Sequence, residues 1–188
     1  MKPKLILCLA LVLSGGLFGC STGEYRTYRQ PDAAEQNEFV KCLLCQCYGL
    51  NSNNWNDIAP IFPLKGSVNL SWRMNYYYDY EEKYPSSDFI KRMAALNIPV
   101  KGDTNLDLVG IDSKTGEKRN LLWIARMDKT SPAEAELEVC LAPEGIKDHF
   151  EILYYLERKN KHWIVASAGV TYAPPQFEYN RILFTAPQ

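Results

Sequence analysis

The spacing of apolar residues predicts a helix over residues 33–48. Its apolar side chains recur every three or four positions, as one buried helix face requires; they are Phe39, Val40, Leu43, Leu44, Cys47 and Tyr48. Asp32 is suited to cap the first turn, with Glu35 three residues later completing a capping box. Gly49 is suited to the position just beyond the last turn. We therefore expect a helix with a defined start and end.

Alternation of apolar and polar residues predicts strands along much of the remaining chain. A long half-buried strand is expected over residues 68–80, then a helix from Ser86 or Ser87 to about residue 97. Further strands joined by polar turns, which favour antiparallel hairpins, are expected at residues 106–111, 120–127, 134–141, 150–158, 162–172 and 181–185. The predicted fold class is α+β, with N-terminal helices packed on a curved, mainly antiparallel sheet of five to six strands.

The first twenty residues differ from the rest of the chain. Lys2 and Lys4 precede an apolar run over residues 5–13, and small residues follow. This order is typical of a secretory signal, and the run is short for a hydrocarbon layer of ~30 Å. An uncleaved membrane anchor is the alternative interpretation.

The stretch Leu17-Phe18-Gly19-Cys20 resembles the lipobox of bacterial lipoproteins. The resemblance implies that Cys20 becomes the first residue of the mature chain, with a diacylglycerol thioether on sulfur and a fatty acid such as palmitate on its amine. Ser21 after the cysteine then implies the outer membrane of an enteric-type bacterium. We expect a signal peptide over residues 1–19, a flexible tether over residues 20–32 and a single α+β domain over residues 33–188.

The charge balance argues against nucleic-acid binding and favours no other function. The chain has 21 Lys and Arg against 22 Asp and Glu, and loss of Lys2 and Lys4 with the signal leaves 19 against 22, a formal charge of −3. Without a basic block, nucleic acid is not an expected partner. The sequence has no nucleophile elbow, phosphate-binding glycine loop or HExxH motif. We therefore predict no catalytic residue and no cofactor, and a non-enzymatic role.

Four cysteines remain in the expected mature domain beside Cys20. Cys42, Cys45 and Cys47 lie in the predicted helix, and Cys140 lies in a predicted strand. The three helical thiols diverge around the helix, whereas zinc needs converging ligands, so no metal site is predicted. An exported domain favours disulfides. We expect one helix-to-sheet bridge that includes Cys140, with its partner left open; buried free thiols are the alternative.

Two further groups of side chains are candidates for function. Tyr77, Tyr80 and Tyr84 could form a rim that binds a partner, although tyrosines in a strand are also core residues. His149, close to Asp148 and Glu151, has the composition of an acid–base group but is interpreted as an exposed turn residue.

The order of the elements resembles the cone-shaped fold of nuclear-transport-factor-like and cystatin-like domains. Residues 161–172, KHWIVASAGVTY, are similar to the closing strand of such domains. The resemblance implies a curved sheet that wraps helices and leaves a pocket at its open end. We expect a lipoprotein whose domain faces the periplasm and binds a protein partner, in envelope maintenance, in secretion or as a toxin-immunity protein. The alternative is a small-ligand-binding protein or enzyme that uses the cone pocket.

The lipobox resemblance gives a direct prediction about the native protein. Mass spectrometry of material isolated from bacterial membranes should find Cys20 as the first residue, with its sulfur and amine acylated. Native protein with position 20 unmodified and residues 1–19 attached would contradict the prediction.

Overall fold

The computed structural model describes residues 29–50, 60–76, 79–102, 110–144, 146, 148–175 and 183–185. That part of the chain forms, in order, α1 (Ala33–Cys47), β1 (Val68–Tyr76), β2 (Asp79–Lys83), α2 (Ser87–Ala94), β3 (Val100–Lys101), β4 (Asn120–Ser131), β5 (Glu134–Ala142), β6 (Phe150–Lys159), β7 (His162–Tyr172) and β8 (Leu183–Thr185). One mixed sheet has the order β2-β1-β4-β5-β6-β7-β8, with β3 beside β1. The expected α+β mixture is confirmed, but the described residues contain eight strands rather than five or six.

Helix α1 begins and ends where its sequence predicts. The Asp32 carboxylate accepts hydrogen bonds from the backbone N–H groups of Ala34 and Glu35, at 3.0 and 2.9 Å. The Glu35 carboxylate accepts one in return from the Asp32 N–H, so the capping box is complete. Gly49 follows with φ of +64°, a left-handed conformation that costs glycine little.

The long strand expected over residues 68–80 is wrong, because the chain reverses within it. Tyr76 and Asp79 are antiparallel register partners, so the segment forms the hairpin β1–β2. Alternation has the same period on both arms of a hairpin and therefore does not show where the chain turns. The other edge of β1 pairs in parallel with β4, where Val68 lies opposite Asn120. The predicted antiparallel meander did not include this pairing, which requires a crossover connection.

The remaining hairpins agree with their predicted turns. Asn160 and Lys161 connect β6 to β7 with φ of 50° and 68°. Positive φ at both central residues is the type I′ geometry, whose twist matches that of paired strands. The strand expected over residues 106–111 lies mostly outside the described residues, and Ile111 forms an isolated bridge with Lys118.

Both helices contribute to a core on one side of the sheet, which we call the inner face. The Phe39 ring of α1 meets Trp163 of β7 edge to face, with 4.7 Å between ring centroids. The Phe89 ring of α2 lies 6.3 Å from that of Trp72 in β1. Alternate residues of β5, Leu137, Val139 and Leu141, join the same buried cluster. The side chains between them point to the opposite side, which we call the outer face.

A nearly buried arginine forms ion pairs with two carboxylates in the turn before β4. Arg119, whose side chain is 4% exposed, donates to the carboxylates of Asp112 and Glu117 at 3.0 and 2.8 Å. The other Asp112 oxygen accepts from the backbone N–H groups of Lys114 and Thr115. These backbone hydrogen bonds are the main reason that the pKa of Asp112 is lowered. The hydrogen bond from Arg119 is the main reason that the pKa of Glu117 is lowered.

Acid should weaken this turn first. Both carboxyl groups have lower pKa values in the folded chain, so their contribution is present above about pH 4 and is lost as the pH falls through the folded-state values. We expect Asp112→Asn to lower the free energy of unfolding at pH 7 and to reduce its fall between pH 5 and pH 2. Urea unfolding across that pH range measures both effects. An unchanged profile for Asp112→Asn would contradict the assignment.

Candidate functional site

A row of four side chains crosses the outer face of the sheet. Trp123 of β4, Cys140 of β5, Glu151 of β6 and Tyr172 of β7 are successive register partners. Cys140 alternates with the inner-face residues of β5, so the row lies on the side away from the helices. Neighbouring strands are ~4.8 Å apart, so side chains in such a row contact one another.

His149 lies over this row, at the chain position just before β6. Its ring centroid is 5.1 Å from that of Trp123 and 5.6 Å from that of Tyr172. The imidazole Nε2 is 3.5 Å from Oε1 of Glu151, and the side chain is 33% exposed. The two aromatic rings therefore restrict the imidazole, while one side of it remains accessible to solvent.

Asp148 supports His149 from the other ring nitrogen. Its Oδ1 is 3.4 Å from the imidazole Nδ1 and accepts a hydrogen bond from the His149 backbone N–H at 2.8 Å. Its Oδ2 accepts a hydrogen bond from the Tyr172 hydroxyl at 3.2 Å. Burial, followed by this hydrogen bond, raises the pKa of Tyr172, so the hydroxyl stays a donor. Asp148 thus connects the histidine to the side chain row.

The thiol of Cys140 completes a group of three different donor types. The Cys140 sulfur, a ring nitrogen of His149 and a carboxylate oxygen of Glu151 all lie within 4.8 Å of one another. Cys140 is 6% exposed, whereas the other two side chains are partly accessible. Thiolate sulfur, imidazole nitrogen and carboxylate oxygen are the usual protein ligands of zinc and related metals. The arrangement can therefore bind a cation or carry out proton transfer.

The sequence shows the parts of this site but not their convergence. His149, Asp148 and Glu151 are close together in the sequence, whereas Cys140 was predicted only as a disulfide partner and Trp123 was not predicted to belong to a site. The predicted hairpin of β5 and β6 is the feature of the sequence that could have indicated this convergence. Pairing β5 with β6 about the polar segment of residues 143–149 puts Cys140 opposite Glu151, on the face of Glu136 and Glu138.

Carboxylates continue along the outer face from this site. Arg126 of β4 lies among three of them, at 3.2 Å from Asp128, 3.8 Å from Glu136 and 3.4 Å from Glu138. Beyond them Glu134 and Glu157 are exposed and directly opposite each other on β5 and β6. We call this surface the acidic face; its residues are Arg126, Asp128, Glu134, Glu136, Glu138 and Glu157. Tyr155, 39% exposed, lies opposite Glu136 within it.

The four cysteines of the described residues are buried and form no disulfide with one another. Cys42, Cys45 and Cys47 belong to the inner core, and the Cys47 sulfur is 3.9 Å from the Tyr154 hydroxyl. Cys140 is on the outer face, so the sheet lies between it and α1. Within the described residues there is therefore no disulfide between Cys140 and α1.

The burial of α1 extends further round the helix than its periodicity indicates. Cys42 and Cys45 lie outside the apolar stripe of the predicted helix, but they are 0% and 1% exposed. Cys42 forms a hydrogen bond with the backbone of Val165 in β7. The chain beyond the helix also bonds to its C-terminal end: the Leu64 N–H donates to the Cys47 carbonyl at 2.9 Å, and the Tyr48 hydroxyl donates to the Gly66 carbonyl at 2.8 Å. A helix covered on several sides accommodates small apolar thiols all round.

The predicted tyrosine rim stays a prediction, because its members are not all among the described residues. Tyr77 lies outside them, Tyr80 is in β2, and Tyr84 is half-buried just after β2. The large apolar side chains found exposed in the described residues are Tyr155 and Tyr172, both on the outer face. The lipobox residue Cys20 also lies outside the described part of the chain.

Alkylation can test the burial of the helical thiols. Burial raises the pKa of Cys45 to about 11 and that of Cys47 to about 12, and it raises the pKa of Cys42 further. At pH 8 only ~0.1% of Cys45 is thiolate, against roughly a quarter of an unfolded cysteine of pKa ~8.5. We expect pulse alkylation read by mass spectrometry to be at least about 100-fold slower at all three in the native protein than in urea. Rapid native labelling, or a non-reducing peptide map that joins one of them to Cys140, would contradict this.

Comparison with protein-family models, curated proteins and solved structures finds no match to the chain. Neither helix of the described residues has the length and hydrophobicity needed to cross a membrane. The chemistry of the outer face is therefore inferred from its own side chains and their distances.

Proposed function

We propose that this chain is a bacterial lipoprotein, held on the cell envelope by lipid on Cys20, whose domain binds a protein partner. The support for the anchor is the order of charged, apolar and small residues before Cys20, with the lipobox-like Leu17-Phe18-Gly19. One acyl chain gives marginal membrane binding, whereas two or three give stable anchoring. The outer membrane is the proposed location, because Ser21 follows the cysteine.

The acidic face is the observation that carries the proposed partner binding. Its exposed or partly exposed carboxylates are Glu134, Glu138 and Glu157, and the ring of Tyr155 is exposed beside them, whereas Asp128 and Glu136 are nearly buried next to Arg126. A tyrosine with one polar end, set among charges, is typical of residues that contribute strongly to protein interfaces. We propose that the partner is an envelope protein with a basic surface, because complementary charge speeds association and selects against acidic proteins.

The alternative proposal is that the domain has a cone-type fold and binds a small ligand in its pocket. The inner face is filled by a continuous apolar cluster that includes residues of both helices and of β1 and β3–β7. A cleft between α1 and α2, lined by Lys41, Phe89 and Arg92 among others, has a volume of about 250 Å³. Ligand pockets are usually ~300–1,000 Å³. The filled core favours the partner-binding proposal over the pocket.

The position of the interface can be tested by crosslinking in membranes. With Tyr155→benzoylphenylalanine, light should join the lipoprotein to one discrete protein in intact cells. The matched control is Lys91→benzoylphenylalanine, because Lys91 is exposed on α2 in the helix layer, away from the outer face. Adducts that form equally at both positions would contradict the proposed interface, and so would the absence of an adduct at position 155.

Charge reversal tests the basic character of the partner. Glu134→Lys should reduce the position-155 adduct by about tenfold, since it places like charge against a basic surface. This change also removes a repulsive cross-strand pair with Glu157, so folding should be retained. Glu38→Lys makes the same charge change on α1 and should leave the adduct unchanged. An adduct insensitive to Glu134→Lys would contradict the proposed charge recognition.

The anchor is tested separately from the interface. Cys20→Ser should move the protein from the membrane fraction to the soluble fraction of the envelope and remove the incorporation of a labelled palmitate analogue. Retention in the membrane with label still present would exclude Cys20 as the lipid attachment site.

A further inference from the structure

The outer-face row brings three potential metal ligands together from two adjacent strands. Cys140 and Glu151 are direct register partners on β5 and β6, and His149 lies two residues before Glu151. Their donor atoms are mutually within 4.8 Å. The strand pairing fixes the positions of Cys140 and Glu151, and two aromatic rings restrict His149. The three potential ligands are therefore largely prearranged.

The distances are close to those of a tetrahedral metal centre. With metal–ligand bonds of ~2.0–2.3 Å, ligand atoms in such a centre lie about 3.3–3.6 Å apart. The Nε2 of His149 and Oε1 of Glu151 are 3.5 Å apart. The Cys140 sulfur is within 4.8 Å of a ring nitrogen of His149 and a carboxylate oxygen of Glu151, so a side chain movement of about 1 Å brings the three donors to metal-binding distances.

The donor types select the class of metal. Thiolate sulfur and imidazole nitrogen suit zinc and similar borderline metals, whereas calcium and magnesium prefer all-oxygen sites. The Cys140 thiol gives its proton to solvent when the sulfur binds the metal. Thiolate and carboxylate together then balance the charge of a divalent ion. Three protein ligands leave a fourth position for water or another small donor.

The surrounding residues orient the histidine. Asp148 Oδ1 faces Nδ1 of His149 at 3.4 Å, which leaves Nε2 directed toward Glu151. A carboxylate behind a metal-binding histidine commonly fixes its ring orientation and increases its basicity. Tyr172 in turn donates to Asp148, and the Trp123 ring lies on another side of the imidazole. The metal enters from solvent, where His149 and Glu151 are partly exposed.

We propose that Cys140, His149 and Glu151 bind one zinc-type divalent metal ion, with Asp148 as the residue that positions His149. This site goes beyond the proposed partner binding and does not depend on it. On β5, the acidic-face residue Glu138 lies two positions from Cys140, whereas Glu134 and Glu136, the latter opposite Tyr155, lie four or more positions away, about 13 Å at strand spacing. The two surfaces can therefore be tested independently.

The test uses the full-length chain, freed of metal by a chelator and titrated with Zn²⁺ and Co²⁺. Calorimetry should give one Zn²⁺ per chain, and the Co²⁺ form should show the near-ultraviolet charge-transfer absorption of a cobalt–thiolate bond. Cys140→Ala should abolish this absorption, whereas the matched thiol variant Cys45→Ala should keep it.

Partly exposed ligands give variants that keep the fold. His149→Ala and Glu151→Gln should each weaken Zn²⁺ binding by at least about 100-fold, and Asp148→Asn by about 10–100-fold. Glu138→Gln is the matched carboxylate control, because Glu138 is on the same face, 41% exposed, and outside the ligand set; its affinity should equal that of wild type. One equivalent of Zn²⁺ should also raise the Tm of wild type but not that of His149→Ala.

Two results would overturn the metal proposal. One is the absence of saturable binding by wild-type protein at micromolar Zn²⁺. The other is one-to-one binding that does not come from these ligands: binding that persists in His149→Ala, or cobalt–thiolate absorption that disappears in Cys45→Ala. Either result leaves the crosslinking at position 155 unaffected, so failure of the metal site is distinguishable from failure of the partner interface.

Discussion

The pairing register of β4 to β7 decides what each side of this domain can do. In β5, Leu137, Val139 and Leu141 reach the inner core, while Glu136, Glu138 and Cys140 reach the outer face. A slip by one residue would exchange the two sets and put carboxylates against the helices. An uncompensated buried charge costs several kcal/mol, so this register is strongly specified. The core and the candidate metal site are consequences of the same pairing.

A β-bulge refines the position of the metal site. The register between β6 and β7 shifts between Glu151 and Ile152, so that Tyr172 pairs with Glu151 while Val170 pairs with Ile152. The extra residue, Thr171, donates its hydroxyl hydrogen bond to the Glu151 carbonyl. This shift keeps Val170 in the core and lets Tyr172 reach the Asp148 carboxylate. Bulges commonly redirect side chains next to functional sites.

The division of the domain into an apolar side and an acidic side gives the two proposals a common physical basis. Within the described part of the chain the helices cover the inner face, so the outer face of β4–β7 is the broad sheet surface left for recognition. Around Arg126 the carboxylates suit a basic protein surface, which is large and charged. At the other end of the face, a thiol, an imidazole and a carboxylate suit a small, borderline cation. Spacing along the strands separates the two.

The sequence by itself determined α1 with its caps, the hairpin of β6 and β7, and the outer or inner assignment of Cys140, because these depend on local periodicity and turn chemistry. The tertiary structure decided the reversal between Tyr76 and Asp79, the parallel pairing of β1 with β4, and the burial of Cys42 and Cys45. It also decided the convergence of Cys140, His149 and Glu151. Of these strand pairings, only that of β1 with β4 joins distant parts of the chain; the other features depend on where the chain turns and on how the helix packs against the sheet. Alternation indicates which face of the sheet a residue occupies, but only the strand pairing shows which residues are neighbours on that face.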